Sequence, residues 1–113
     1  MEQSNNFSTK IIKISSKSLI FNILKFENGI ILSISENLNK LGSMMLSIGT
    51  GPTPIATMLT PSKKNFTVLR LIAEPISTSI KGIVLVSMFT ESELTNSEIK
   101  LLLTEVKALT QNV

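Results

Sequence analysis

The dipeptide Asn28-Gly29, set between two runs of strand-forming residues, constrains the fold of this chain more than any other feature. Residues 18–26 (Ser-Leu-Ile-Phe-Asn-Ile-Leu-Lys-Phe) precede it and residues 30–35 (Ile-Ile-Leu-Ser-Ile-Ser) follow it. Asn-Gly readily adopts the two positive-φ positions of a type I′ turn, and the twist of that turn matches the strands it joins. A hairpin is therefore predicted, with Phe26 opposite Ile31, Lys25 opposite Leu32, Leu24 opposite Ser33 and Ile23 opposite Ile34. This pairing leaves large apolar side chains on both faces. An antiparallel sheet with one wet face alternates between apolar and polar residues. This hairpin does not, so something must cover each face.

The flanking sequence extends the sheet. Residues 10–14 (Lys-Ile-Ile-Lys-Ile) read as a first strand, separated from the hairpin by the polar break at residues 15–18. After turn material at residues 37–42, residues 43–48 (Ser-Met-Met-Leu-Ser-Ile) read as a fourth strand with Met44, Leu46 and Ile48 on one side. Pro52 and Pro54 remove backbone donors and hold residues 49–54 as a loop. A short fifth strand is expected at residues 55–60. Residues 66–79 are ambiguous: residues 66–72 also tolerate a strand reading, but Phe66, Leu69, Ala73 and Ile76 at helical spacing favour a helix, with Asn65 as N-cap and with Pro75 expected to kink it or end it near Glu74. Residues 82–90 are apolar on both faces and read as a central strand. The last element has a full start signal, in which Thr95 and Glu98 form a capping box and Leu94 and Ile99 a hydrophobic staple. Ile99, Leu102, Leu103, Val106 and Leu109 form its buried stripe.

The expected architecture is α+β: a six-stranded antiparallel sheet with two helices in the order βββββ-α-β-α. All 113 residues form one domain, with residues 1–8 flexible. Two helices of this length blanket one sheet face but not two. The surplus apolar face predicts association with a second chain. Leu24, Phe26, Ile31 and Met45 are the interface candidates, Met45 because it points opposite to Met44, Leu46 and Ile48.

Composition narrows the chemistry. The chain has no Cys, His, Asp, Trp or Tyr. Zinc sites, thiol nucleophiles, disulfides and histidine acid–base pairs are thereby excluded, and no enzyme activity or cofactor is expected. A net charge of +3 comes from ten Lys and the single Arg70 against eight Glu. The five Phe sit in apolar patterns and not in the basic, aromatic-studded surfaces that bind nucleic acid. The N-terminus has no basic and apolar leader, and no apolar run approaches a membrane span. No nucleic-acid or membrane partner is expected; the chain reads as soluble and cytoplasmic, with the nucleus as a second compartment.

No constellation carries a strong catalytic signal. Residues 49–54 (Gly-Thr-Gly-Pro-Thr-Pro) lack the Gly-Lys-Ser/Thr of a phosphate loop, and their prolines remove needed N–H groups. Fifteen Ser and ten Lys make chance Ser–Lys pairs uninformative. Glu91 and Glu93 read as exposed acidic residues before a helix N-terminus. Lys63 and Lys64 read as a solvated turn tip that can also meet an acidic partner.

From Thr9 to Thr110, the order of elements and several local patches resemble the proteasome assembly chaperone 3 family. These patches are the paired strands at residues 10–14 and 18–26, the run Gly29-Ile-Ile-Leu-Ser-Ile34, and the turn Asn39-Lys-Leu-Gly-Ser43. That turn is similar to the family's Lys-x-Gly-Thr, with Ser43 in place of Thr. The central strand Ile83-Val-Leu-Val-Ser-Met88 and the closing amphipathic helix complete the likeness, whereas Pro75 departs from it. The resemblance implies a non-catalytic chaperone subunit that forms a homodimer, or a heterodimer with a chaperone 4-like subunit. It also implies transient binding to a proteasome α subunit, of the α5 type, during core-particle assembly. The family supplies no active-site residue. Client contacts are assigned to the exposed loops through Thr50, Thr53, Lys63 and Lys64. A roadblock-like scaffold or regulatory dimer is the alternative, although such domains usually open on a helix and this chain opens on strands.

Overall fold

The hairpin forms, but its two-residue turn lies one position earlier than Asn28-Gly29. A computed structural model describes residues 6–61 and 64–110. In it β2 (Lys17–Phe26) turns through Glu27 and Asn28 into β3 (Gly29–Glu36). The register pairs Phe26 with Gly29, Lys25 with Ile30, Leu24 with Ile31 and Ile23 with Leu32. Neither Asn28 nor Gly29 has positive φ, so the turn is not type I′. Gly29 is needed for a different reason. A Cβ there would stand 2.6 Å from the Ile83 carbonyl oxygen of the neighbouring strand. The shift is by two residues, so each side chain keeps the face that the sequence assigned to it.

β1 (Phe7–Ile14) pairs antiparallel with β2 across the Ser15–Ser16 turn and begins earlier than expected. β4 (Ser43–Ile48) and β5 (Ile55–Met58) follow, then α1 (Phe66–Ile80), β6 (Ile83–Phe89) and α2 (Asn96–Thr110). The element order and the α+β class match the sequence reading. The sheet order is β1-β2-β3-β6-β4-β5, and it is antiparallel except between β3 and β6. The parallel pair arises from the helical connection. β5, α1 and β6 make a crossover that returns the chain in the same direction, so β6 enters between β3 and β4 parallel to β3.

Both helices lie on one face of the sheet. There Leu19, Phe21, Leu32, Ile34, Val84, Val86 and Met88 pack with Leu69, Ile72 and Ala73 of α1 and with Leu102 and Val106 of α2 into a single core. Pro75 neither ends nor shortens α1. It is exposed, so the Leu71 carbonyl left without a helical donor is close to solvent. Asn65 precedes the helix in a left-handed conformation (φ 64°) and makes no side-chain cap, contrary to the expected N-cap role. The capping box of α2 forms as expected. The Thr95 N–H donates to Glu98 Oε1 at 2.9 Å, and the Glu98 N–H donates to Thr95 Oγ1 at 3.2 Å. Glu98 is buried and also takes a 3.2 Å ion pair from Lys17 at the start of β2. Among the described residues no helix is long and apolar enough to cross a membrane.

Candidate interaction surface

The sheet face away from the helices is the surface that stands out. Strand register sorts its side chains into rows running across the strands. One row is Phe7, Leu24, Ile31, Leu85, Leu46 and Thr57, one residue from each strand. The adjoining row, toward the β2–β3 turn, is Phe26, Gly29, Ile83, Ile48 and Ile55. These two rows are almost wholly apolar, and among the described residues no element lies over them. Phe7 is 59% exposed, Phe26 53%, Ile31 39% and Ile55 68%. Isolated exposed apolar side chains are ordinary, but a contiguous patch of this kind marks an interaction site.

The third row is polar through Thr9, Asn22, Ser33 and Ser87 and ends on Met44. The loop of residues 37–42 lies over this part of the face. Asn22 Nδ2 donates to Asn39 Oδ1 at 2.7 Å, and the Gly42 N–H donates to Ser87 Oγ at 2.9 Å. In a fourth row, the Lys40 ammonium stands 4.5 Å from the ring centroid of Phe89, in cation–π range.

Leu24, Phe26 and Ile31, singled out from the sequence, stand together on this open face. Met45 does not. It is 0% exposed, on the helix-covered face among the core residues. The face assignment of β4 is the reverse of the one drawn from its sequence. Met44, Leu46 and Ile48 look outward, while Ser43, Met45 and Ser47 look toward the helices. This orientation gives the inward Ser47 a partner on α1, the Ser77 hydroxyl at 2.8 Å, so its burial costs no unpaired polar group. Phe7, Ile83 and Leu85 belong to the patch and were not singled out. Alternation from Ile31 and Leu24 through the correct strand neighbours would have found them.

Of the loops proposed for client contact, one precedes β5 and the other is described only in part, at Lys64 and Asn65. Thr50 and Thr53 are exposed. Lys64 Nζ donates to the Thr90 carbonyl at 3.0 Å, within its own chain, and Lys63 lies outside the described residues. The Glu91 N–H donates to Glu36 Oε1 at 2.9 Å, and its carboxylate accepts from Asn37 Nδ2 at 3.4 Å. A second apolar hollow, about 380 Å³, lies between α1 and α2 and is lined by Leu71, Pro75, Ile76, Leu103 and Val106. Among the described residues no group of three or more carboxylates could hold a metal ion.

No family model and no curated protein matches the sequence. Among solved structures, the fold is similar over nearly the whole chain to that of a chain from a chaperone complex for yeast 20S proteasome assembly, with a TM-score of 0.70 and 16% identity over 94% of this chain and 94% of that one. At that identity the likeness is one of fold.

Proposed function

We propose that this chain is a non-catalytic subunit of an assembly chaperone for the proteasome core particle, and that it pairs with a second apolar sheet through its open face. The observation that carries the reading is the pair of bare apolar rows through Leu24, Phe26 and Ile31. Its partner is a second copy of this chain or a related chaperone 4-like subunit, and its client a proteasome α subunit of the α5 type. The fold shared with a chain of the yeast complex supports that assignment. Stacked sheets pack about 10 Å apart with their side chains interdigitated, an arrangement that the two rows are suited to enter. Client contact is assigned to Thr50, Thr53, Lys63 and Lys64. Among these, reversing Lys63 alone is the cleaner test, because Lys64 is already engaged with Thr90.

The test is co-purification from the source cells followed by mass spectrometry. Recovery of α-ring subunits, reduced by Lys63→Glu or by Thr50→Glu plus Thr53→Glu, is the expected outcome. Recovery of small GTPases or their regulators in place of α-ring subunits would overturn the reading and favour a roadblock-like scaffold.

A further inference from the structure

The Asn28-Gly29 dipeptide does not make a type I′ turn, and it carries a reactivity of its own. Asn28 is exposed, and it is the only asparagine of the chain that glycine follows. With no side chain on the next residue, the backbone nitrogen can approach the asparagine amide closely, so Asn-Gly cyclises more readily than other asparagine pairs. In that reaction the Gly29 nitrogen bonds to Asn28 Cγ and the Cγ–Nδ2 bond breaks. The proton of the Gly29 N–H passes through solvent to the departing ammonia, leaving a succinimide. Water then opens the ring at either carbonyl, to aspartate or to isoaspartate. One water is consumed and one ammonia released.

The placement of the backbone opposes this chemistry. The Asn28 carbonyl accepts from the Ile83 N–H at 3.0 Å. Space around the peptide is closed as well: a Cβ on Gly29 would lie 2.6 Å from the Ile83 carbonyl oxygen, and one on Gly82 would lie 2.4 Å from the Asn28 carbonyl oxygen. The corner that holds the turn is itself fixed. Its Gly82 N–H donates to the Ser77 carbonyl of α1 at 3.1 Å, and its Gly82 carbonyl accepts from the Gly49 N–H, just past β4, at 2.8 Å. Ring closure requires an Asn28 ψ between the two populated regions, because the Gly29 nitrogen must swing round to Cγ. The same rotation carries the Asn28 carbonyl away from Ile83. The turn therefore has to come off β6 before Asn28 reacts.

We propose that Asn28 is this chain's site of spontaneous deamidation, and that the Gly82–Ile83 corner at the start of β6 governs its rate. Isoaspartate adds one carbon to the backbone and a new carboxylate, so the converted turn no longer fits the present register. The product marks chains whose turn has come away from β6.

The purified full chain is kept at neutral pH, at one temperature, in native buffer and in guanidinium chloride beyond its unfolding transition. Conversion at each asparagine is followed by peptide mapping with mass spectrometry, with aspartyl and isoaspartyl products separated. In denaturant Asn28 should convert ahead of every other asparagine. In native buffer its rate should be at least about tenfold lower, the ratio set by a local opening of about 1.4 kcal/mol. Gly82→Ala, whose added Cβ presses on the Asn28 carbonyl, should raise the native rate about fivefold or more and leave the denatured rate unchanged. Another asparagine converting first in denaturant, equal native and denatured rates at Asn28, or a folded Gly82→Ala that keeps the wild-type rate would overturn the inference. Should Gly82→Ala fail to fold, amide hydrogen exchange at Ile83 in the wild type measures the same opening. Protection of that N–H supports the corner's role, and its absence overturns it.

Discussion

Glu98 joins three parts of the molecule through one carboxylate. It closes the capping box of α2, pairs with Lys17 on β2 and is buried while doing so. The Thr95 N–H, and then the Lys17 ammonium, hold its pKa below the ordinary 4.5, although burial pushes the other way. A carboxylate whose folded pKa is lowered adds stability above its unfolded pKa and loses it as pH falls through the folded value. Urea unfolding at pH 7 and at pH 3 should therefore show a smaller acid loss for Glu98→Gln than for the wild type. Equal losses would contradict this. Thr95→Ala removes the other half of the box and should lower stability by about 1 kcal/mol at neutral pH. At Gly29 the constraint is space. The Ile83 carbonyl is too close for a Cβ, and Gly29→Ala should cost about 1–3 kcal/mol by forcing β3 and β6 apart. Thermal denaturation reads both substitutions.

At the scale of elements, what can be read from the sequence depends on how far the deciding partner lies along the chain. The start of α2 was legible because the capping box joins residues three apart. Of the α1 stripe read from spacing, Leu69, Ala73 and Ile76 are buried, whereas Phe66 is exposed. The faces of β4 were not legible, because the partner of the inward Ser47 is Ser77, thirty residues later. Nothing near Met45 signals that bond. The same distance hid the parallel pairing of β3 with β6, and the close approach of Ile83 that moves the hairpin off Asn28-Gly29. Pro75 misled in a different way. Its local penalty is real, but α1 is packed along β4, β5 and β6 and continues through it. Pro75→Ala should therefore stabilise the protein, by up to about 3 kcal/mol, by restoring a donor to the Leu71 carbonyl. A loss of stability on urea titration would instead mean that the ring is needed in the hollow between the helices.

At the scale of the whole molecule, one face of the sheet is complete and the other is not. The helices bury one side in a continuous core. On the other, the chain's own loop lies over the row of Asn22 and reaches Phe89 in the next, and among the described residues Leu24, Phe26, Ile31, Ile83 and Ile48 stand in two adjoining rows without a cover. The interface candidates on β2 and β3 were legible from the two-sided hairpin. The extent of the patch was not, since it depends on the order of all six strands. Soluble monomers rarely keep such a patch open. The most direct test of this account is sedimentation velocity of the tagged chain purified from its own cells, at micromolar concentration, beside Ile31→Asp prepared in the same way. The account predicts a species of at least twice the 12.4 kDa of one chain for the wild type and a folded monomer for Ile31→Asp. A wild type that sediments only as a monomer, or an Ile31→Asp variant that associates as the wild type does, would contradict it.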